Sequence, residues 1–196
     1  MFRGCTGLGG SDRLLITMKQ LWFIWLLCSI LDVWAQPARV ILFRHAEKPD
    51  DRDDPHLSAT GREHAKQLAK WLGEGNMLGT NGVALYAQRP TEHLHSIRCL
   101  ETLKPLAKKL KLTISTPRPA ADYKKLVENL LGDTSLKGQT AVVCWVHYYL
   151  PEFATKLGVH PPPPKWKGDD YHSTYVITLT NGTATLRLET QKFKAE

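Results

Sequence analysis

The feature that most constrains the fold is TAVVCWV, residues 140–146, the most hydrophobic strand-like run beyond the first 35 residues. A short apolar run rich in β-branched residues and bounded by polar or turn residues reads as a buried strand. RVILFR (residues 39–44) is a second such run, and residues 83–87 a third. Amphipathic segments lie between them. Residues 60–72 put Ala65, Leu68, Ala69 and Leu72 on one helical face, behind a cap at Ser58 or Thr60 with Glu63 completing a box. Gly73, Gly75 and Gly79 end that helix. Residues 97–110 form a second helix, with Pro105 inside it. Residues 112–115 are a short strand, and residues 123–131 and 150–157 two further helices. Residues 161–164 are four prolines, a stiff extended linker. Asn181-Gly182 joins two strands, at 175–179 and 183–188, as a hairpin. Strands alternating with helices call for a mostly parallel sheet covered on both faces. The expectation is an α/β three-layer sandwich with an antiparallel hairpin at one edge.

The first 35 residues read differently. LWFIWLLCSIL (residues 21–31) follows Lys19 and precedes Val33-Trp34-Ala35. A basic start, a short apolar stretch and small residues at a V-x-A site describe a secretory signal peptide. The stretch is short for a membrane span, which needs about 20 apolar residues. The alternative is an uncleaved membrane anchor through residues 21–31. Either Met1 or Met18 can be the true start. Residues 36–196 are expected to form one domain, exported to a periplasmic or extracellular compartment. Of the four cysteines, only Cys99 and Cys144 fall in this domain, too few for a disulfide framework and without metal-ligand spacing. Both are expected to be small buried apolar residues.

With 26 Lys and Arg against 19 Asp and Glu, the formal net charge is +7. The basic residues are scattered, so nucleic-acid binding is not expected. The charge suits attraction of anionic substrates, or simply solubility. Chemistry concentrates where strands end. Arg44-His45 closes the first strand, His147 follows residues 140–146, and Arg98 opens the second helix. Ligands of α/β sheets bind outside the carboxyl ends of strands, and helix amino ends favour anions. Two guanidiniums and two imidazoles gathered there suit phosphoryl transfer to a histidine: one imidazole attacks and the other groups neutralise the equatorial oxygens.

RHAEKP (residues 44–49) resembles the signature of the histidine phosphatase superfamily, the phosphoglycerate mutase-like fold. LSATGREHAKQLAKWL (residues 57–72), SIRCLETLKPLA (residues 96–107) and CWVHYYLPEFATKLG (residues 144–158) are similar to that family's helix start, second-arginine helix and second-histidine segment. The resemblance covers about residues 39–160 in the right order, closest to exported members of the RHAEKP form. It implies a phosphoglycerate mutase-like sandwich and a metal-independent phosphatase with no cofactor. It also implies roles. His45 is the nucleophile that becomes a phosphohistidine, Arg44 and Arg98 grip the phosphoryl oxygens, and His147 bonds the same group. The substrate is a phosphorylated small molecule or phosphoprotein.

Some residues depart from the family pattern. The acidic proton donor is not fixed by position; Asp122 is the first candidate and Glu47 the second. Val146 stands where Glu or His is expected, and Tyr148 and Tyr149 stand where smaller residues are usual. These departures motivate an alternative, a catalytically weak module that binds phosphorylated ligands. A mutase is a third reading, tested by conversion of phosphoglycerate isomers. His93-x-His95 is expected in an exposed loop, and His56, His64, His160 and His172 on the surface. The inserted segments 73–82 and 160–174 are the expected surroundings of the site.

Overall fold

In a computed structural model, which describes residues 36–51 and 53–193, six strands pair into one sheet. They are β1 (Arg39–Arg44), β2 (Val83–Ala87), β3 (Ile114–Ser115), β4 (Thr140–Trp145), β5 (Ser173–Thr180) and β6 (Thr183–Thr190), in the order β3-β2-β4-β1-β5-β6. The first four are mutually parallel, β5 runs antiparallel to its neighbour β1, and β6 runs antiparallel to β5. Four helices cover the sheet: α1 (Ala59–Glu74), α2 (Arg98–Leu110), α3 (Tyr123–Gly132) and α4 (Leu150–Lys156). The segment expected to be a signal or anchor lies outside the described residues, as do the two possible start methionines.

The layers follow from the period of two along each strand. Val40 and Leu42 of β1 and Ala141, Val143 and Trp145 of β4 pack with Leu126, Val127 and Leu130 of α3 and Phe153 of α4. The alternate residues, Ile41, Phe43, Val142 and Cys144, pack with Leu68 and Leu72 of α1 and Leu103 and Leu106 of α2. Both faces of β1 and β4 are therefore dry, so these strands carry unbroken apolar runs instead of alternation. Each fully buried aliphatic or Phe side chain contributes about 1.5–3 kcal/mol. Cys99 and Cys144 are free thiols inside this core, as expected.

Ser58 caps α1, its hydroxyl accepting from the Gly61 N–H at 2.9 Å. The expected box of Thr60 with Glu63 does not form. Thr60 lies within the first turn, and Glu63 pairs with Lys66 at 2.9 Å. Helix α1 also runs through Gly73 and ends at the Gly75 cap. Pro105 is accommodated inside α2. The hairpin turn holds Asn181 at φ 48° and Gly182 at φ 76°, the positive-φ pair that a two-residue connection between twisted strands requires.

The chain after α4 has one geometric task. Helix α4 returns it to the amino end of the sheet, and β5 must start at the carboxyl end of β1, where Tyr175 pairs with Leu42. Residues 160–172 make that crossing without a helix. Four prolines favour the extended conformation that covers the distance in few residues, at about 3.1 Å each. Their own end of the segment lines an open groove of about 450 Å³ with Ala184, Thr185 and Leu186 of β6. Only the far end of the inserted segment reaches the strand ends that carry the chemistry.

Candidate active site

Strand β1 ends in Arg44 and delivers His45, while β4 ends in Trp145, paired with Arg44, and delivers His147 two residues later. Adjacent parallel strands thus place both imidazoles and the first guanidinium at one edge of the sheet. Arg98 enters from the start of α2, and Thr102, one turn further on, ties this helix to the loop after His45. Its hydroxyl donates to Arg98 O at 2.8 Å and accepts from the Ala46 N–H at 3.0 Å.

His45 is buried, at 9% exposure. Its Nδ1 stands 2.7 Å from the Ala46 carbonyl oxygen. A carbonyl only accepts, so Nδ1 carries the proton and Nε2 keeps its lone pair. Burial drives the ring's pKa down to about 4 against the opposing pull of the Ala46 carbonyl, and the charges of Arg44, Arg98 and His147 act with burial. At neutral pH the ring is an uncharged base with one open nitrogen. His147 is shifted down too, first by burial and then by the charges of Arg44 and Lys48.

Arg44 is 3% exposed. Its Nη1 donates to Gly168 O at 2.6 Å and Asp170 O at 3.4 Å, and its guanidinium carbon lies 3.9 Å from the centroid of the Tyr171 ring. Among the described residues its Nε has no partner and is closed off from the surface, and its charge acts on the His45 ring. Arg98 is more fully engaged by protein. Its Nε donates to His56 O at 3.0 Å and its Nη2 to Asp54 O. Among the described residues its Nη1 makes no hydrogen bond.

Asp122 ends a single 3-10 turn (Ala120–Asp122) that leads into α3. The Trp145 indole N–H donates to Ala120 O at 3.0 Å, fixing this turn beside the end of β4. Glu47 is differently placed. Both carboxylate oxygens face His64 Nδ1, at 2.9 and 2.8 Å. Burial raises the Glu47 pKa, but the His64 and backbone hydrogen bonds outweigh it and hold the carboxyl below its usual range. The Glu47 carboxylate, the second candidate donor, is thus engaged by His64. His64, expected at the surface, is 5% exposed. It lies on the inner side of α1 next to the buried Ala65, under the chain end after β6. His93 and His95 are exposed, as expected. Among the described residues no three His, Cys, Asp or Glu side chains converge to hold a metal ion.

Several residues near the site carry no motif signal. Tyr171, whose ring centroid is 6.1 Å from that of His45, arrives because β5 starts beside the end of β1. Gln88, just past β2, is 2% exposed with an unpartnered Oε1, and Arg118 has a buried, unpartnered Nε. Thr102 was open to inference, since it stands four residues after Arg98 and shares its helix face.

The α/β sandwich with its mixed six-stranded sheet is the phosphoglycerate mutase-like fold. A putative alpha-ribazole-5'-phosphate phosphatase from Escherichia coli superposes with a TM-score of 0.57 at 17% identity, covering 82% of this chain and 100% of that one. A mycobacterial glucosyl-3-phosphoglycerate phosphatase gives 0.53 at 14% identity, over 78% and 96% of the two chains. A phosphoglycerate mutase from Plasmodium falciparum gives 0.52 at 15% identity, over 81% and 93%. These neighbours belong to the histidine phosphatase superfamily, and at such identities the likeness is one of fold. No protein-family model and no curated protein sequence matches the chain.

Proposed function

We propose that this protein is a metal-independent histidine phosphatase that hydrolyses a phosphoester or related phosphoryl group through a phosphohistidine on His45. The observation that carries this reading is the neutral His45 ring, its Nδ1 proton bound to the Ala46 carbonyl and its Nε2 open, under the charges of Arg44, Arg98 and His147. Superfamily neighbours of the same fold that are phosphatases support it.

In the proposed reaction Nε2 attacks phosphorus while the bond to the leaving oxygen breaks. Arg44, the remaining donors of Arg98, and His147 take the charge of the equatorial oxygens. The leaving oxygen takes a proton from an acid, for which Asp122 is the candidate, and water then hydrolyses the P–N bond. Hydrolysis of a generic aryl phosphate without added metal, wild type beside His45→Ala, is the test. Loss of turnover and of trapped labelled phosphate in the variant is expected. Equal hydrolysis by both proteins overturns the reading.

A second reading, a module that binds phosphorylated ligands without turning them over, draws on the engagement of Arg98 by the Asp54 and His56 carbonyls. It predicts saturable phosphate-ester binding with no turnover at any pH. Export remains part of the proposal, on the apolar residues 21–31 and the V-x-A site. A cleaved signal predicts a mature chain that begins at Gln36, read by amino-terminal sequencing. An uncleaved anchor predicts recovery with the membrane fraction.

A further inference from the structure

We propose that His64 is a positioning residue for His45, acting through Glu47 on the peptide whose carbonyl holds the nucleophile's ring. The proposal rests on the phosphohistidine reading for its importance, but the geometry stands apart from it. The Ala46 carbonyl sets the His45 tautomer, so anything that fixes that peptide fixes the open nitrogen. Three tethers hold the residues on either side of it, Ala46 and Glu47. Thr102 holds the Ala46 N–H. Ser58 donates its N–H at 3.0 Å and its hydroxyl at 3.2 Å to the Glu47 carbonyl. His64 holds the Glu47 carboxylate by both oxygens.

The orientation of His64 is set from the far end of the chain. Its Nε2 lies 2.6 Å from Gln191 Oε1, across 127 residues of sequence. The Gln191 amide nitrogen donates to Thr174 Oγ1 at 3.0 Å and, more weakly, to the Ser173 carbonyl at 3.5 Å. A carbonyl cannot donate, so the amide nitrogen must face Ser173 and its oxygen must face His64. Both His64 ring nitrogens thus face oxygen acceptors, the Glu47 carboxylate and the Gln191 amide oxygen. It stacks on His172 at 5.0 Å and meets the edge of Phe193 at 4.8 Å.

The same cluster reaches the other half of the signature pair. The Gln191 N–H donates to His172 O at 2.8 Å. The Asp170 carboxylate accepts from the His172 and Ser173 N–H groups and from the Ser173 hydroxyl. The Asp170 and Gly168 carbonyls in turn receive Arg44. One chain of polar contacts, buried at His64 and Gln191, thus links the loop after His45, helix α1, the start of β5 and the segment after β6. A side chain that positions a reacting group to within tenths of an ångström changes rate more than binding, by roughly ten to a hundredfold.

The test is His64→Phe, which keeps a ring between His172 and Phe193 but removes both ring nitrogens, with Gln191→Leu beside it as a milder variant that removes only the Nε2 acceptor. Three readouts are taken: kcat and KM for an aryl phosphate, thermal unfolding, and the ¹⁵N shifts of the His45 ring, which report its tautomer. The expected result is a fall in kcat of roughly ten to a hundredfold in His64→Phe, KM within about twofold, and loss of the pure Nδ1–H signature. Gln191→Leu is expected to lie between it and wild type, and it carries the test if His64→Phe does not fold. A folded variant with an unchanged His45 tautomer and unchanged kcat overturns the proposal. So does a loss of stability alone, which marks His64 as merely structural. If the wild type shows no turnover, the phosphatase reading fails, and the ring spectrum still decides the role of His64.

Discussion

At the scale of single residues, the site depends on which hydrogen-bond partners are satisfied and which are left open. Thr102 satisfies the Ala46 N–H inside the protein. Thr102→Val keeps the shape and removes the acceptor, leaving a buried donor without a partner. A loss of about 1–3 kcal/mol is expected from urea unfolding, together with reduced turnover, because Ala46 also orients His45. A stability within error of wild type would show that water reaches Ala46. Arg44 presents the opposite case, a buried Nε–H without a partner among the described residues. Arg44→Lys keeps the charge but loses the planar fork that serves Gly168 and an incoming oxygen together. A fall of at least about tenfold in kcat/KM is expected, with steady-state kinetics as the check.

Elements act by bringing backbones close, and two glycines of α1 separate contact from propensity. At Gly61 a Cβ would collide with the Glu47 carbonyl oxygen, which Ser58 already holds. Backbone cannot yield as a side chain does, so Gly61→Ala is expected to cost a few kcal/mol, on the order of overpacking a core. It also shifts the loop after His45, so activity falls with stability. At Gly73 the Cβ would meet only the Lys109 Nζ at 2.8 Å, the end of a flexible chain that can move aside. Gly73→Ala is expected to stabilise by about 0.5 kcal/mol through helix propensity, with activity unchanged. Paired melting curves check both signs. The strand ends, likewise, are what turn an Arg-His pair and a distant histidine into neighbours, since β1 and β4 are parallel and in register.

The whole molecule holds His45 uncharged, which makes its stability depend on pH. The folded pKa of about 4 lies below the ordinary 6.5. Between those values the unfolded chain binds a proton that the folded protein refuses, so stability falls as pH drops from about 6.5 to about 4. The full effect is roughly 3 kcal/mol. The depressed carboxyl of Glu47 adds to the loss in the same direction, further into acid. Chemical unfolding at pH 7 and pH 4.5 tests this, and equal stabilities would mean that His45 is not desolvated. The acid limb of kcat/KM is expected near the same low value. The element order, the parallel core strands and the placing of Arg44, His45, Arg98 and His147 at strand and helix ends were legible in the sequence, because apolar periodicity and strand-end placement are local signals. The choice of Ser58 over Thr60 as the cap of α1 goes with its bond to the distant Glu47 carbonyl, and the engagement of the Glu47 carboxylate depends on His64 on another element. His64 reads as a polar residue of an exposed helix face, but His172 and the chain end after β6 cover it. Tyr171 and Gln191 are further cases: antiparallel pairing of β5 with β1 brings Tyr171 beside His45, and the chain end after β6 brings Gln191 to His64 across 127 residues. Contacts of that separation are set by the register of strands and the closure of long connections, which local composition does not encode and only the tertiary structure decides.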